Sequence, residues 1–315
     1  RGFCNINIEA VMVEYIRTHY GIRKVAIVDT DCHHGDGTQD IYWHDPNTLF
    51  ISIHQDGRTL YPGTGFPHES GGPNAIGKTV NIPLPPQTGE KGFLYTLDEL
   101  VMPLLEEFKP EIVINSAGQD NHFNDPITDM NFSARGYSIL TARLKPDIAV
   151  LEGGYAIENA LPYVNVGIIM AMAGMDTSHV MEPNYEKDYR PQSMDVTRKI
   201  ERQVEELKDL FLRGGLIKKP YKEGEIIERR RDIFYDTDGI QERQNEKIRC
   251  CSRCAGTFAV SSTASTGQHI MGVHIPMEAC PACRKTGLDW FQKGKKGGFR
   301  HVYLQDRDRG SYDAA

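Results

Sequence analysis

Four short runs, at residues 24–28, 49–53, 111–115 and 147–151, are almost continuously apolar, and no other feature constrains the fold as tightly. Side chains alternate across a strand, so a run that is apolar at every position must be covered on both faces. Segments with helical patterns lie between them at 6–19, 93–108 and 133–144, and a further strand is expected at 79–82. Covered strands separated by helices imply a parallel sheet with helices on both faces, so an α/β domain is expected over 1–184. The chain has 315 residues, enough for about two domains with a sizeable core. Its longest apolar stretch, 166–175, is broken by Gly167 and Gly174 and falls well short of the ~20 residues of a membrane span. No membrane partner is expected.

From about residue 185 the texture changes. An apolar stripe at Val196, Ile200, Val204, Leu207 and Phe211 predicts an amphipathic helix, ended by Gly214-Gly215. Residues 225–249 read as a polar hairpin about Asp238-Gly239, so 185–246 is expected to be a connector. Five of the seven cysteines follow. Cys251-Ser-Arg-Cys254 and Cys280-Pro-Ala-Cys283, with 25 residues between, are two knuckles of a closed tetrahedral site, and strands at 257–262 and 270–275 would complete a zinc-ribbon-like module over 247–290. Four thiolates leave no open position, so this zinc would be structural.

Charge is uneven. From Lys247 onward 11 basic residues face 5 acidic ones, a surplus of +6 in a chain whose net charge is −7, so residues 1–246 carry −13. A basic flexible tail is expected at 291–315. Arg284, Lys285, Lys293, Lys295, Lys296 and Arg300, interleaved with Trp290, Phe291 and Phe299, could contact protein or nucleic acid, or could simply be a solvated face.

In an open parallel sheet, ligands bind beyond the carboxyl ends of the strands, and three of these ends are unusual. Asp29-Thr-Asp31-Cys-His33-His34-Gly-Asp36 follows the first run, Ser116-Ala-Gly-Gln-Asp120 the third and Glu152-Gly153-Gly154-Tyr155 the fourth. If the extended geometry persists, Asp29, Asp31 and His33 share a side. Carboxylates gathered in a crevice repel one another unless a cation is bound, and Asp31, His33 and Asp120 can hold Zn²⁺ with a position left open, the arrangement of a catalytic centre. Loop histidines and helix-capping aspartates are the alternative.

These motifs, with Tyr61-Pro-Gly-Thr-Gly65 and Asn81-Ile-Pro-Leu84, resemble the histone deacetylase family in its bacterial, class II-like branch, with acetylpolyamine amidohydrolases and acetoin-utilisation proteins as relatives; the likeness covers residues 1–176. It implies an arginase/deacetylase-like fold and a cytoplasmic zinc-dependent amidohydrolase that removes acetyl groups from acetyl-lysine in protein or from small acetylated amines. By position, the resemblance makes Asp31, His33 and Asp120 the catalytic zinc ligands and Tyr155 the hydroxyl that stabilises the oxyanion. Asp29 and Asp36 become the carboxylates that orient a histidine pair. Gly2, Phe3, Tyr61, Gly153 and Gly154 would bind substrate, and a structural K⁺ would lie near Asp29, Ser52 and the backbone at Asp31 and His33. The family's histidine pair precedes the segment matched by Gly2-Phe3-Cys4, so the sequence reads as starting inside a domain and lacking early strands. His34, His54 and His122 are assigned no catalytic role. A different arginase-superfamily hydrolase, or a non-catalytic scaffold recruiting partners through the ribbon, are the other readings.

Overall fold

The computed structural model describes residues 2–216 and 221–315; Arg1 and residues 217–220, the latter within the expected connector, lie outside the described residues. The first part runs α1 (Ile8–Tyr20), β1 (Val25–Asp29), α2 (Asp36–Tyr42), β2 (Thr48–Gln55), β3 (Thr79–Leu84), α3 (Glu90–Thr96), α4 (Met102–Phe108), β4 (Ile112–Ala117), α5 (Ala134–Leu144), β5 (Ile148–Leu151), α6 (Leu161–Met172), the short α7 (Tyr185–Asp188) and α8 (Met194–Phe211). The helix expected at 93–108 is realised as α3 and α4 joined by a π-helical turn, Leu97–Val101, just ahead of Pro103, which has no N–H to give to the preceding turn. Side-chain caps start α1, α5 and α8: Asn7 accepts from Ala10 N, Ser133 from Gly136 N and Ser193 from Val196 N.

The five strands form one parallel sheet in the order β3-β2-β1-β4-β5. Every residue of β1, β2 and β3 is buried, as their apolar runs require. Val25, Ile27, Phe50 and Ile114 pack with Val13 of α1 and Tyr42 of α2 on one face. Ala26, Val28, Ile51 and Ile53 pack with the α3–α6 and α8 side chains on the other. The chain leaves β1 toward β2 on one side and returns to pair β4 on its other side, so the switch of strand order falls between β1 and β4, where a crevice opens beyond the strand ends.

Two expectations for the second part are corrected. The hairpin at 225–249 is no connector: β6 (Ile226–Tyr235) and β7 (Ile240–Arg249) are the edge and next strand of a six-stranded sheet that continues through β8 (Phe258–Ala264), β9 (His269–Ile275), β10 (His301–Asp306) and β11 (Ser311–Ala314). Nor are residues 291–315 a flexible tail. They hold the end of α9 (Pro281–Lys295) together with β10 and β11, because Val302 and Leu304 alternate inward and pack with Phe291, Val273 and Ile275. Phe291 is buried, and Trp290 and Phe299 pack against the same cluster. β9 and β10 run parallel, and α9 makes the crossover between them.

Candidate active site

The strand ends bring together what the sequence spaces apart. Asp31 and His33 follow β1, Asp120 follows β4, and one ligand atom from each lies within 4.8 Å of the others. His33 Nδ1 stands 2.7 Å from Asp120 Oδ2 and 3.4 Å from Asp31 Oδ1. Backbone donors aim the carboxylates: Asp31 Oδ1 accepts from His33 N (2.7 Å), Asp31 Oδ2 from Gly153 N (2.8 Å) and Asp120 Oδ1 from Cys32 N (2.8 Å). Asp29 Oδ1 accepts from Asp31 N (3.0 Å), so this buried carboxylate orients the metal-ligand candidate beside it.

Two glycines make the convergence sterically possible. A Cβ on Gly118 would stand 2.2 Å from Asp31 Oδ2, and one on Gly153 would stand 2.6 Å from Asp120 Oδ2 and 2.7 Å from Asp31 Oδ2. Gly153 therefore lies behind the carboxylates, and Gly154, packed toward Leu161 and Gln119, lies in the same wall.

The electrostatics call for a cation. Burial and the neighbouring Asp31 push Asp120 up to about 7, against the pull of His33 and the Cys32 amide. Burial, Glu9, Asp31 and Asp120 push Glu152 up to about 8, and burial with Asp31 holds Asp29 well above the carboxylate range. His33 loses from burial but is carried up to about 10 by Asp120 and Asp31. Carboxyls that raise one another's pKa in this way are short of positive charge, and two oxygen donors with one imidazole suit a zinc ion. The donor set fits the metal.

Tyr155 stands next to this set, part exposed. Its N–H donates to Asp125 Oδ2 (2.9 Å), and burial together with Asp120 and Asp31 holds its hydroxyl protonated, up to about 12. Phe3 meets Tyr155 edge to face at 6.3 Å, and Tyr61 lies 6.5 Å from His33, ring centre to ring centre. Gly2 is 3.9 Å, measured to an added Cβ, from the Tyr61 ring. Asp36 starts α2.

Other histidines serve the scaffold. His34 meets Thr64 Oγ1 and Gln39 Oε1, His54 meets Ser52 Oγ and Gly65 O, and His122 meets Glu182 Oε1. The sequence reading missed Glu9, buried on α1 where Ser116 Oγ donates to it (2.7 Å), as well as Gly118 and Asp125. Two of them carried a signal: Gly118 sits inside the run 116–120, and Asp125 five residues beyond Asp120.

Residues 1–166 match the family model described as the histone deacetylase domain. The chain belongs to the histone deacetylase family. A probable deacetylase of Archaeoglobus fulgidus is 50% identical over 194 residues, covering 58% of this chain and 53% of that protein. The acetoin utilization protein AcuC of Bacillus subtilis is 34% identical over 194 residues, 58% of this chain and 50% of its own. The crystal structure of the HDA15 HD domain superposes with a TM-score of 0.57 at 28% identity, covering 68% of this chain and 57% of that one. The chain thus spans about half the length of these curated relatives. Among the described residues, no helix is long and apolar enough to cross a membrane.

Proposed function

We propose that this family member is a zinc-dependent amidohydrolase that removes acetyl groups from acetyl-lysine side chains or small acetylated amines. The observation that carries the reading is the convergence of Asp31, His33 and Asp120 from two strand ends beside a protonated Tyr155. Asp31, His33 and Asp120 would hold the zinc, which when bound supplies Lewis-acid polarisation and acidifies water at neutral pH. Gly153 N and Cys32 N keep the two carboxylates turned inward, so their charge is aimed before any ligand arrives. Tyr155, a hydroxyl that does not ionise near pH 7, donates a hydrogen bond to the amide oxygen as negative charge builds there. Phe3 and Tyr61 flank the aliphatic stem of the acylated amine, with Gly2, Gly153 and Gly154 contributing backbone near it. Asp29 acts through Asp31; Asp36 is the proposed positioning carboxylate for an imidazole that transfers the proton to the leaving amine. Asp29, Ser52, which donates to it at 3.3 Å, and the backbone at Asp31 and His33 are the proposed K⁺ site. The proposed compartment is the cytoplasm, where the cysteines would stay reduced.

The test is Tyr155→Phe, assayed on an acetyl-lysine peptide and on an acetylated diamine at matched zinc content. Turnover should fall about a hundredfold or more with zinc retained, since only one oxyanion donor is lost. An unchanged rate would remove Tyr155 from the reaction, and a parent protein that stays idle on both compounds when it also carries the upstream histidine pair would remove the reading.

A further inference from the structure

The cysteine cluster lies outside this site. Cys251 and Cys254 sit in the turn between β7 and β8, while Cys280 and Cys283 begin α9. Their four sulfurs lie within 4.8 Å of one another, with Cys251 3.6 Å from Cys254 and 3.7 Å from Cys280. Sulfurs placed tetrahedrally at about 2.3 Å from one ion stand about 3.8 Å apart, so these spacings are those of a closed thiolate site. Donors are aimed at the sulfurs as well: Arg253 N reaches Cys251 Sγ at 3.4 Å and Arg249 Nη1 reaches Cys283 Sγ at 3.3 Å.

What the centre touches extends its role. Asn74, in the segment between β2 and β3, donates Nδ2 to Arg249 O and Ala255 O, both at 3.0 Å, and its Oδ1 accepts from Cys251 N at 3.1 Å. One side chain thus satisfies three backbone groups of the knuckle. Gly256, in the left-handed region at φ 74°, leaves the room: a Cβ there would fall 2.1 Å from Asn74 Nδ2. Toward its other end the same segment is tied to the candidate active site. Glu69 Oε1 accepts from Gly65 N and Phe66 N, Gly65 O meets His54 Nε2 at 3.0 Å, and Thr64 Oγ1 meets His34 Nδ1 at 2.8 Å, one residue beyond His33.

We infer that the four cysteines hold one thiolate-bound divalent metal ion, zinc in the first instance, and that this centre is a fastener. By fixing the backbone 249–256 in the shape that Asn74 grips, the metal holds the 57–77 segment, which carries Tyr61, in place beside the candidate active site. The inference does not rest on the deacetylase reading.

The experiment uses the full chain loaded with Co²⁺, because thiolate-to-cobalt charge transfer gives a near-ultraviolet band that carboxylate and imidazole ligands do not. That band should be present in the parent protein and absent from the Cys251→Ser/Cys280→Ser variant. Hydrogen exchange at 66–77 should then quicken about tenfold or more, with the amides of β1 and β4 unchanged as the control for folding. Asn74→Ala keeps all four thiols, so it should retain the band and still lose the protection at 66–77. A parent protein without the band, or a band that survives the double substitution, overturns the metal site. Unchanged protection at 66–77 in Asn74→Ala overturns the fastener.

Discussion

Asp125 shows how one residue outside the candidate metal-ligand set would govern the chemistry proposed there. Its Oδ2 accepts from Tyr155 N and its Oδ1 from Ile127 N (3.1 Å), in a place where the carboxyl is nearly buried. The contact fixes the backbone at Tyr155 and hence the point from which the hydroxyl is presented, so on the proposed function Asp125 would be a positioning residue. Asp125→Ala should leave two backbone donors short of partners, lower stability by about 1–3 kcal/mol, and cut kcat more than it raises KM. Asp125→Asn keeps one acceptor and should recover part of the loss. Equal kcat in the alanine variant and the parent, measured on the acetyl-lysine peptide, would show that Tyr155 needs no such support.

At the level of elements, the site is made by strands that end together, and the glycines at those ends are as specific as the ligands. Gly118 closes the turn after β4 so tightly that a Cβ would meet Asp31 Cα at 2.4 Å as well as Oδ2, and backbone cannot step aside as the end of a flexible side chain can. Gly118→Ala should therefore weaken zinc binding about 10- to 100-fold, the usual range for groups that orient metal ligands, with the far-ultraviolet circular dichroism preserved. Gly37→Ala in α2, where nothing lies within 4 Å, is the control and should bind zinc normally. Calorimetric zinc titration of the two variants decides it, and equal affinities would refute the steric argument. Asp31, His33, Asp120 and Tyr155 could be picked out as candidates because each lies within five residues of the end of a mostly apolar run, and such runs mark strands whatever their order in the sheet, although β5, at the sheet's edge, is only partly buried. Glu9 was not legible, since its burial depends on Ser116 arriving from β4, 107 residues away. β10 escaped for a related reason. Only Val302 and Leu304 are apolar and inward-facing, and a two-residue alternation acquires meaning only once β9 lies parallel beside it.

On the scale of the whole molecule, the second sheet is joined to the parallel-sheet part by charge as well as by the cysteine turn. Arg307 pairs with Glu14 of α1 at 2.7 Å, Arg231 pairs with Asp40 of α2, and Arg229 lies 4.3 Å over the Trp43 ring. At the centre is Glu246 of β7, 6% exposed, with His44 at 3.3 Å, Arg229 at 3.6 Å and Arg231 at 3.7 Å. Burial alone would raise the pKa of this carboxyl, but His44, Arg229 and Arg231 outweigh it and hold the value below the ordinary 4.5. The sign follows from linkage. A carboxyl with a depressed folded pKa contributes stability that is fully present above its unfolded value and is lost as pH falls through the folded one. Glu246→Gln keeps the shape but leaves the arginines facing each other across a nearly buried joint, which at pH 7 should cost on the order of 3 kcal/mol. The difference from the parent should shrink steadily below about pH 4.5, where the parent begins to lose the same charge. Urea midpoints at pH 7 and at successively lower pH test this. A gap that stays constant down the series would mean that Glu246 holds the two parts together by shape and not by charge.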